Sequence, residues 1–169
     1  RLADKARDAM SDRNDPRAGH FRRLEAELFY LAHDYKKALA SSRMAVSMLQ
    51  SFGETAELAE AFLLIGKSLI NIGNCKEAET AFLDAESLFR RNEKETGQID
   101  AANQLARVYF TRSEYKNALK YLLKAVNLAD RLNDRRQLAF LWGNIGRVYT
   151  LMGNFKKATE ALTVNIDIS

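Results

Sequence analysis

The chain has 169 residues, of which 47% are hydrophobic and 28% charged, the balance of a protein that buries a real core. Its net charge of +4, from 26 Lys and Arg against 22 Asp and Glu spread along the chain, is too mild for a nucleic-acid footprint. No run of about 18 apolar residues and no apolar stretch at the start argue against a membrane span and a signal peptide, and the lone Cys75 cannot close an internal disulfide, so a cytoplasmic protein is expected.

Taken in order, Leu2, Ala6, Ala9 and Met10 recur at helical spacing. They predict an N-terminal helix of a preceding unit within residues 1–16. The run Ser11-Asp12-Arg13-Asn14-Asp15-Pro16 ends it, with Asp15 placed to cap the next helix and Pro16 to occupy its first turn. From residue 17 the pattern helix A, turn, helix B, turn recurs four times. Helices A are predicted at 17–32, 57–72, 98–112 and 137–152, and helices B at 35–51, 75–93, 115–132 and 155–169, giving pairs 17–54, 55–97, 98–134 and 135–169. The turns after the A helices read alike: His33-Asp34, Gly73-Asn74, Ser113-Glu114 and Gly153-Asn154. Gly suits a left-handed C-cap and Asp34, Asn74 and Asn154 suit an N-cap, with Asn74 and Glu77 a candidate capping box. After the B helices, Phe52-Gly53-Glu54, Glu95-Thr96-Gly97 and Asn133-Asp134 read as stops. A start at Arg1 and an end at Asp167-Ile168-Ser169, in the middle of a predicted helix, lead to the expectation of a fragment of a longer protein.

The period is forty residues, set by the anchors Ala38, Ala78, Ala118 and Ala158 on the B helices. Twelve residues before each anchor stands a small residue, Ala26, Gly66, Ala106 or Gly146, which lets the two helices of a pair approach closely. Nine before stand Phe29, Leu69, Tyr109 and Tyr149, and sixteen before stand Arg22, Phe62, Ala102 and Trp142. At about 100° per residue these rows share one side of helix A and form its buried stripe. On helix B, Phe82, Leu122 and Leu162 follow their anchors by four residues, with Ser42 the departure.

Trp142, Ile145, Gly146, Tyr149, Gly153, Phe155, Ala158 and Leu162 together resemble the signature of the tetratricopeptide repeat (TPR) family, and the resemblance extends over residues 17–169. It implies an all-α fold, a right-handed α-solenoid of antiparallel helix pairs. A period of forty is longer than the usual length of about 34. This variety resembles the repeats of Leu-Gly-Asn adaptor proteins and of the sensor regions of bacterial transcription regulators, the latter through Leu128-Ala129-Asp130-Arg131-Leu132-Asn133-Asp134-Arg135-Arg136. The family implies a protein-interaction scaffold in a regulatory or signalling protein, not an enzyme. The carboxylate clamp of the chaperone-binding subset is not matched, because Arg23, Glu27 and Leu64 hold the corresponding places.

In such a solenoid one face of each helix A lines a concave groove. Rows eight, eleven, fifteen and eighteen before the anchor lie clear of the buried stripe. They place Lys67, Arg107 and Arg147 in a stripe beside Tyr30, Ile70, Phe110 and Phe140, with Asn103 among them. Lys67, Arg107, Arg147, Asn103, Phe110, Phe140 and Tyr30 are therefore the candidate partner-binding residues. The cations suit acidic groups and the aromatics an apolar anchor. Solvated surface cations are the ordinary alternative for such a row, and recurrence in three repeats favours a partner. The expected partner is a protein or peptide with acidic and apolar residues. The rival is a sensor domain of a transcription regulator taking a small effector or an intramolecular segment. Single-stranded RNA fits poorly, since the mixed-sign rows make a poor phosphate track. Self-association is expected through the apolar side of the last helix, Ala161, Leu162, Val164 and Ile168. No catalytic motif is present, and His20 and His33 lack a second ligand at metal spacing, so neither catalysis, a metal nor a cofactor is expected.

Overall fold

The computed structural model describes residues 15–53 and 55–168. The helix expected at 2–11 lies outside them. The described residues form eight α-helices: α1 (Pro16–Leu31), α2 (Tyr35–Leu49), α3 (Ala56–Ile72), α4 (Cys75–Arg91), α5 (Glu95–Thr111), α6 (Tyr115–Arg131), α7 (Arg135–Leu151) and α8 (Phe155–Ile168), with one 3-10 turn at Gln50–Phe52. No strand occurs among them, and none of these helices is long and apolar enough to cross a membrane. The fold is an all-α helical-repeat solenoid. Its contacts divide it into two units, the first ending at Lys94 and the second beginning at Glu95.

In the first unit α1 pairs with α2 and α3 with α4, and α3 also packs on α2. In the second, α5 pairs with α6 and α7 with α8, and α6 packs on α7. The rows read from the sequence are the ones that meet. Ala26, Gly66, Ala106 and Gly146 are buried, as are the anchors Ala38, Ala78, Ala118 and Ala158. Ile99, Ala102, Leu122, Leu141, Ile145 and Val148 centre the second unit's core, with Tyr109, Tyr121 and Trp142 packed against it. Ser42, the polar departure on α2, is fully buried because its hydroxyl donates to the Ala38 carbonyl one turn back, 2.8 Å away.

The turns keep a stricter period than the side chains. Residues 33, 53, 73, 93, 113, 133 and 153, each twenty after the last, all have positive φ. Three are glycines, and four are His33, Glu93, Ser113 and Asn133, with φ of 60°, 54°, 60° and 51°. At six of the seven, two backbone hydrogen bonds close the helix as a Schellman motif. For example, Ser113 N–H donates to the Phe110 carbonyl at 2.9 Å and Glu114 N–H to the Tyr109 carbonyl at 2.8 Å. The next residue then caps the following helix. Asp34, Asn74, Asp134 and Asn154 each accept from the backbone N–H three residues on, and the Lys37 ammonium, followed by this backbone hydrogen bond, holds the Asp34 carboxyl below its ordinary value. Asn74 also donates to Glu77 at 2.8 Å.

One expected stop is corrected by this geometry. Glu95-Thr96-Gly97 does not end a helix but forms the first turn of α5, which starts at Glu95 and not at residue 98. The stop lies at Asn92-Glu93-Lys94, where Lys94 N–H reaches the Phe89 carbonyl at 2.9 Å and the Asn92 side chain reaches that of Leu88 at 2.8 Å. Gly97 drew the reading forward, yet the two hydrogen bonds place the left-handed residue at Glu93, a conformation disfavoured for a side chain by about 1 kcal/mol. A glycine at the exposed position 113 relieves the same strain. Ser113→Gly is expected to stabilise the chain by about 0.5–1 kcal/mol and raise its thermal midpoint by about 2–4 °C. An unchanged or lower midpoint would contradict the strain argument.

Candidate functional site

In the second unit, helices α5 and α7 present the rows that the helical arithmetic assigns to the open face, and between them lies a pocket of about 380 Å³. Its rim is Asn103, Arg107 and Phe110 from α5 with Phe140, Asn144 and Arg147 from α7, and Ala106, Leu122 and Val148 supply apolar wall. Five of the seven candidates therefore surround one space. The repeat explains why: residues forty apart lie at equivalent places on neighbouring A helices, so Arg107 and Arg147 both line the pocket and Asn103 meets Asn144.

The arrangement is held by specific contacts. The Arg147 guanidinium carbon lies 5.6 Å from the centre of the Phe110 ring, a cation–π distance. Phe110 packs edge-on against Tyr115, their centres 6.0 Å apart, which fixes the ring from behind. Asn144 Nδ2 donates to Asn103 Oδ1 at 3.2 Å, leaving the Asn103 amide hydrogens and the Asn144 carbonyl for other partners. Phe140 is 55% exposed, a large apolar ring at the mouth. Gln104 also lines the pocket, and its Oε1 is buried without a hydrogen-bond partner among the described residues. A buried acceptor of this kind gains from a donor brought by a ligand.

Lys67 and Tyr30 lie in the first unit and do not line this pocket. Lys67 is half-buried on α3. The Tyr30 hydroxyl accepts from Asn71 at 3.2 Å and its ring packs edge-on to Tyr35. On the open rows of this unit Arg23 is paired, 3.4 Å from Glu27 and 3.3 Å from Glu60, and His20 Nδ1 lies 2.7 Å from Glu57. One row also departs from expectation, because Leu63 is buried. On the last helix Ala161 is buried rather than exposed, while Leu162 is 42% exposed.

Sequence reasoning missed Gln104 and Asn144. They stand fourteen before their anchors, near 200° on the helical projection, just past the range taken as groove. Two amides forty residues apart, on a row where α3 carries Leu64, were the available signal.

The TPR family model, described as tetratricopeptide repeat, matches residues 97–165. No curated protein sequence matches the chain. Among solved structures, BtubC from P. vanneervenii is similar at 21% identity, covering 91% of this chain and 64% of that one, with a TM-score of 0.86. Aspartyl phosphate phosphatase F from Bacillus subtilis is similar at 16% identity, covering 94% and 41%, with a TM-score of 0.86. The Rap conjugation gene regulator of plasmid pLS20, solved with the Phr* peptide, is similar at 15% identity, covering 89% and 42%, with a TM-score of 0.74. The chain thus spans less than two thirds of these three proteins, and at such identities the likeness is one of fold. Residues 97–165 thus match the tetratricopeptide-repeat family model, and the same helix–turn register through the first unit gives the chain a tetratricopeptide-like helical-repeat fold.

Proposed function

We propose that the chain is a protein-interaction scaffold whose second unit holds a peptide segment between α5 and α7. The observation that carries this reading is the pocket itself, where two guanidinium side chains and two aromatic rings border one space of about 380 Å³. Arg107 and Arg147 pair with carboxylates of the segment, Phe110 and Phe140 take an apolar side chain, and the Asn103 and Asn144 amides meet its backbone. Such a site selects a segment in which acidic and apolar residues are neighbours. The regulator solved with the Phr* peptide supports the same use of this fold.

Fluorescence anisotropy with three short labelled peptides tests it: one alternating Glu with Leu and Phe, one with Gln for every Glu, and one with Ser for every apolar residue. The first is expected to bind at least about tenfold more tightly than either control, since hydrogen bonds to charged groups contribute about 1.5–3 kcal/mol. Equal affinity for all three, or binding of none, overturns the reading. In the second case a small effector becomes the better candidate.

A further inference from the structure

The first unit carries a second groove on its B helices, away from the open A-helix rows. Helices α2 and α4 form its walls and α3 its floor. Two cavities, of about 500 Å³ and about 340 Å³, lie along it and share Phe62 and Asp84. The floor is apolar: Leu58 and Phe62 under the first, Phe62, Ile65 and Leu69 under the second. On α4 the wall residues Glu77, Thr80, Asp84, Ser87 and Arg91 recur every three or four positions and so share one face. From Glu77 to Arg91 that face runs for about 20 Å at 1.5 Å per residue. The Arg43–Glu77 ion pair, 2.9 Å, ties α2 to α4 at one end.

Charge singles out the middle of the groove. Glu77 is paired with Arg43, whereas Asp84, between the two cavities, has no hydrogen bond or ion pair among the described residues. Asp84 is exposed at the groove surface, and partial desolvation of its carboxyl raises it above the ordinary 3.8. The repeat does not require an acid there, since Met44, Lys124 and Val164 occupy the equivalent places. An unpaired acid set over an apolar floor is complementary to a cation carried on an apolar body.

We infer that the α2–α4 groove is a second docking site, which takes a short amphipathic segment of a partner protein in which a Lys or Arg is flanked by apolar residues. Asp84 receives the cation, and Phe62 and Val46 receive the apolar side chains. The segment differs in charge from the one proposed for the second unit, so the two sites are separable.

A labelled peptide of about twelve residues, Leu on one helical face with a single central Lys, is titrated against the whole chain, with Lys→Glu and Leu→Ser versions as controls. Asp84→Asn is expected to weaken binding about threefold and Asp84→Lys about tenfold or more. Thr80→Arg, an exposed substitution on the same wall, blocks the groove and weakens binding similarly, while Arg147→Glu in the second unit leaves it unchanged. Far-UV circular dichroism confirms that each variant stays helical. The inference is overturned if the Lys peptide binds no better than its Glu version, if folded Asp84→Lys and Thr80→Arg bind like the parent, or if Arg147→Glu abolishes binding. The first two outcomes leave the acidic-peptide reading untouched, since it rests on the other pocket, whereas the third would place the basic segment in that pocket and count against both.

Discussion

Phe82→Ala is expected to destabilise the chain by about 3–5 kcal/mol, the range for deleting a fully enclosed aromatic side chain. Phe82 on α4 is completely buried, and its ring lies over Gly66 of α3. A Cβ built on Gly66 would stand 2.4 Å from Phe82 Cε1, inside any tolerable contact. The glycine is therefore the notch that admits the ring, and once the ring is gone no side chain at position 66 can fill the space. For a chain of this length the loss lowers the thermal midpoint by roughly 10 °C or more, read by circular dichroism. Gly66→Ala alone is expected to cost about 1–3 kcal/mol through overpacking, and adding Phe82→Leu should return part of that loss because the smaller side chain clears the new methyl. A loss below about 1 kcal/mol for Phe82→Ala would mean that the two helices close over the gap. Gly146 and Leu162 repeat the device in the last pair, with a hypothetical Cβ 2.8 Å from the leucine.

The second large effect concerns binding. Arg107→Glu with Arg147→Glu is expected to weaken the acidic–apolar peptide by about 10- to 100-fold, since each reversal replaces an attraction with a repulsion in a partly enclosed site. The penalty should shrink as salt is raised, because screening weakens both. Both arginines are exposed, so folding should change by no more than about 0.5 kcal/mol. Part of the effect of Arg147 runs through Phe110, whose ring face it covers. Comparing Arg147→Glu with Arg147→Gln separates the two contributions, because Gln loses the cation–π contact without adding repulsion. Unchanged affinity in the folded double variant would remove these arginines from the site.

What the sequence disclosed depends on how directly each feature is encoded. The helix pairs were legible because Ala38, Ala78, Ala118 and Ala158 mark the closest approach of two helices, where volume is limiting and few residue types fit. The grouping of Asn103, Arg107, Phe110, Phe140 and Arg147 followed from the forty-residue register, which carries a side chain on α5 to its neighbour on α7. Helix ends were less legible. A left-handed residue announces itself when it is Gly73 or Gly153, but at Glu93 hydrogen bonding and packing impose the conformation on a residue that does not prefer it. Hence Gly97, which reads as a stop, sits inside α5. Gln104 and Asn144 escaped because pocket walls curve round the helix beyond the angular range that exposure alone suggests. Asp84 was passed over for another reason: one carboxylate among many on B helices gains meaning only when its lack of a cation is seen.

The twenty-residue spacing of the left-handed turns also bears on how such a chain can change in length. Adding one residue inside a helix turns every later side chain by about 100° and would swing Ala118, Leu122 and their like out of the core. Insertions and deletions are therefore confined to whole helix–turn modules or to the connections. The connections differ in tolerance, because six are two- or three-residue turns locked by a pair of hydrogen bonds, whereas the link from α2 to α3 is longer and passes through the 3-10 turn and Gly53. That link is the place where this lineage could gain or lose residues while every helix on either side kept its phase.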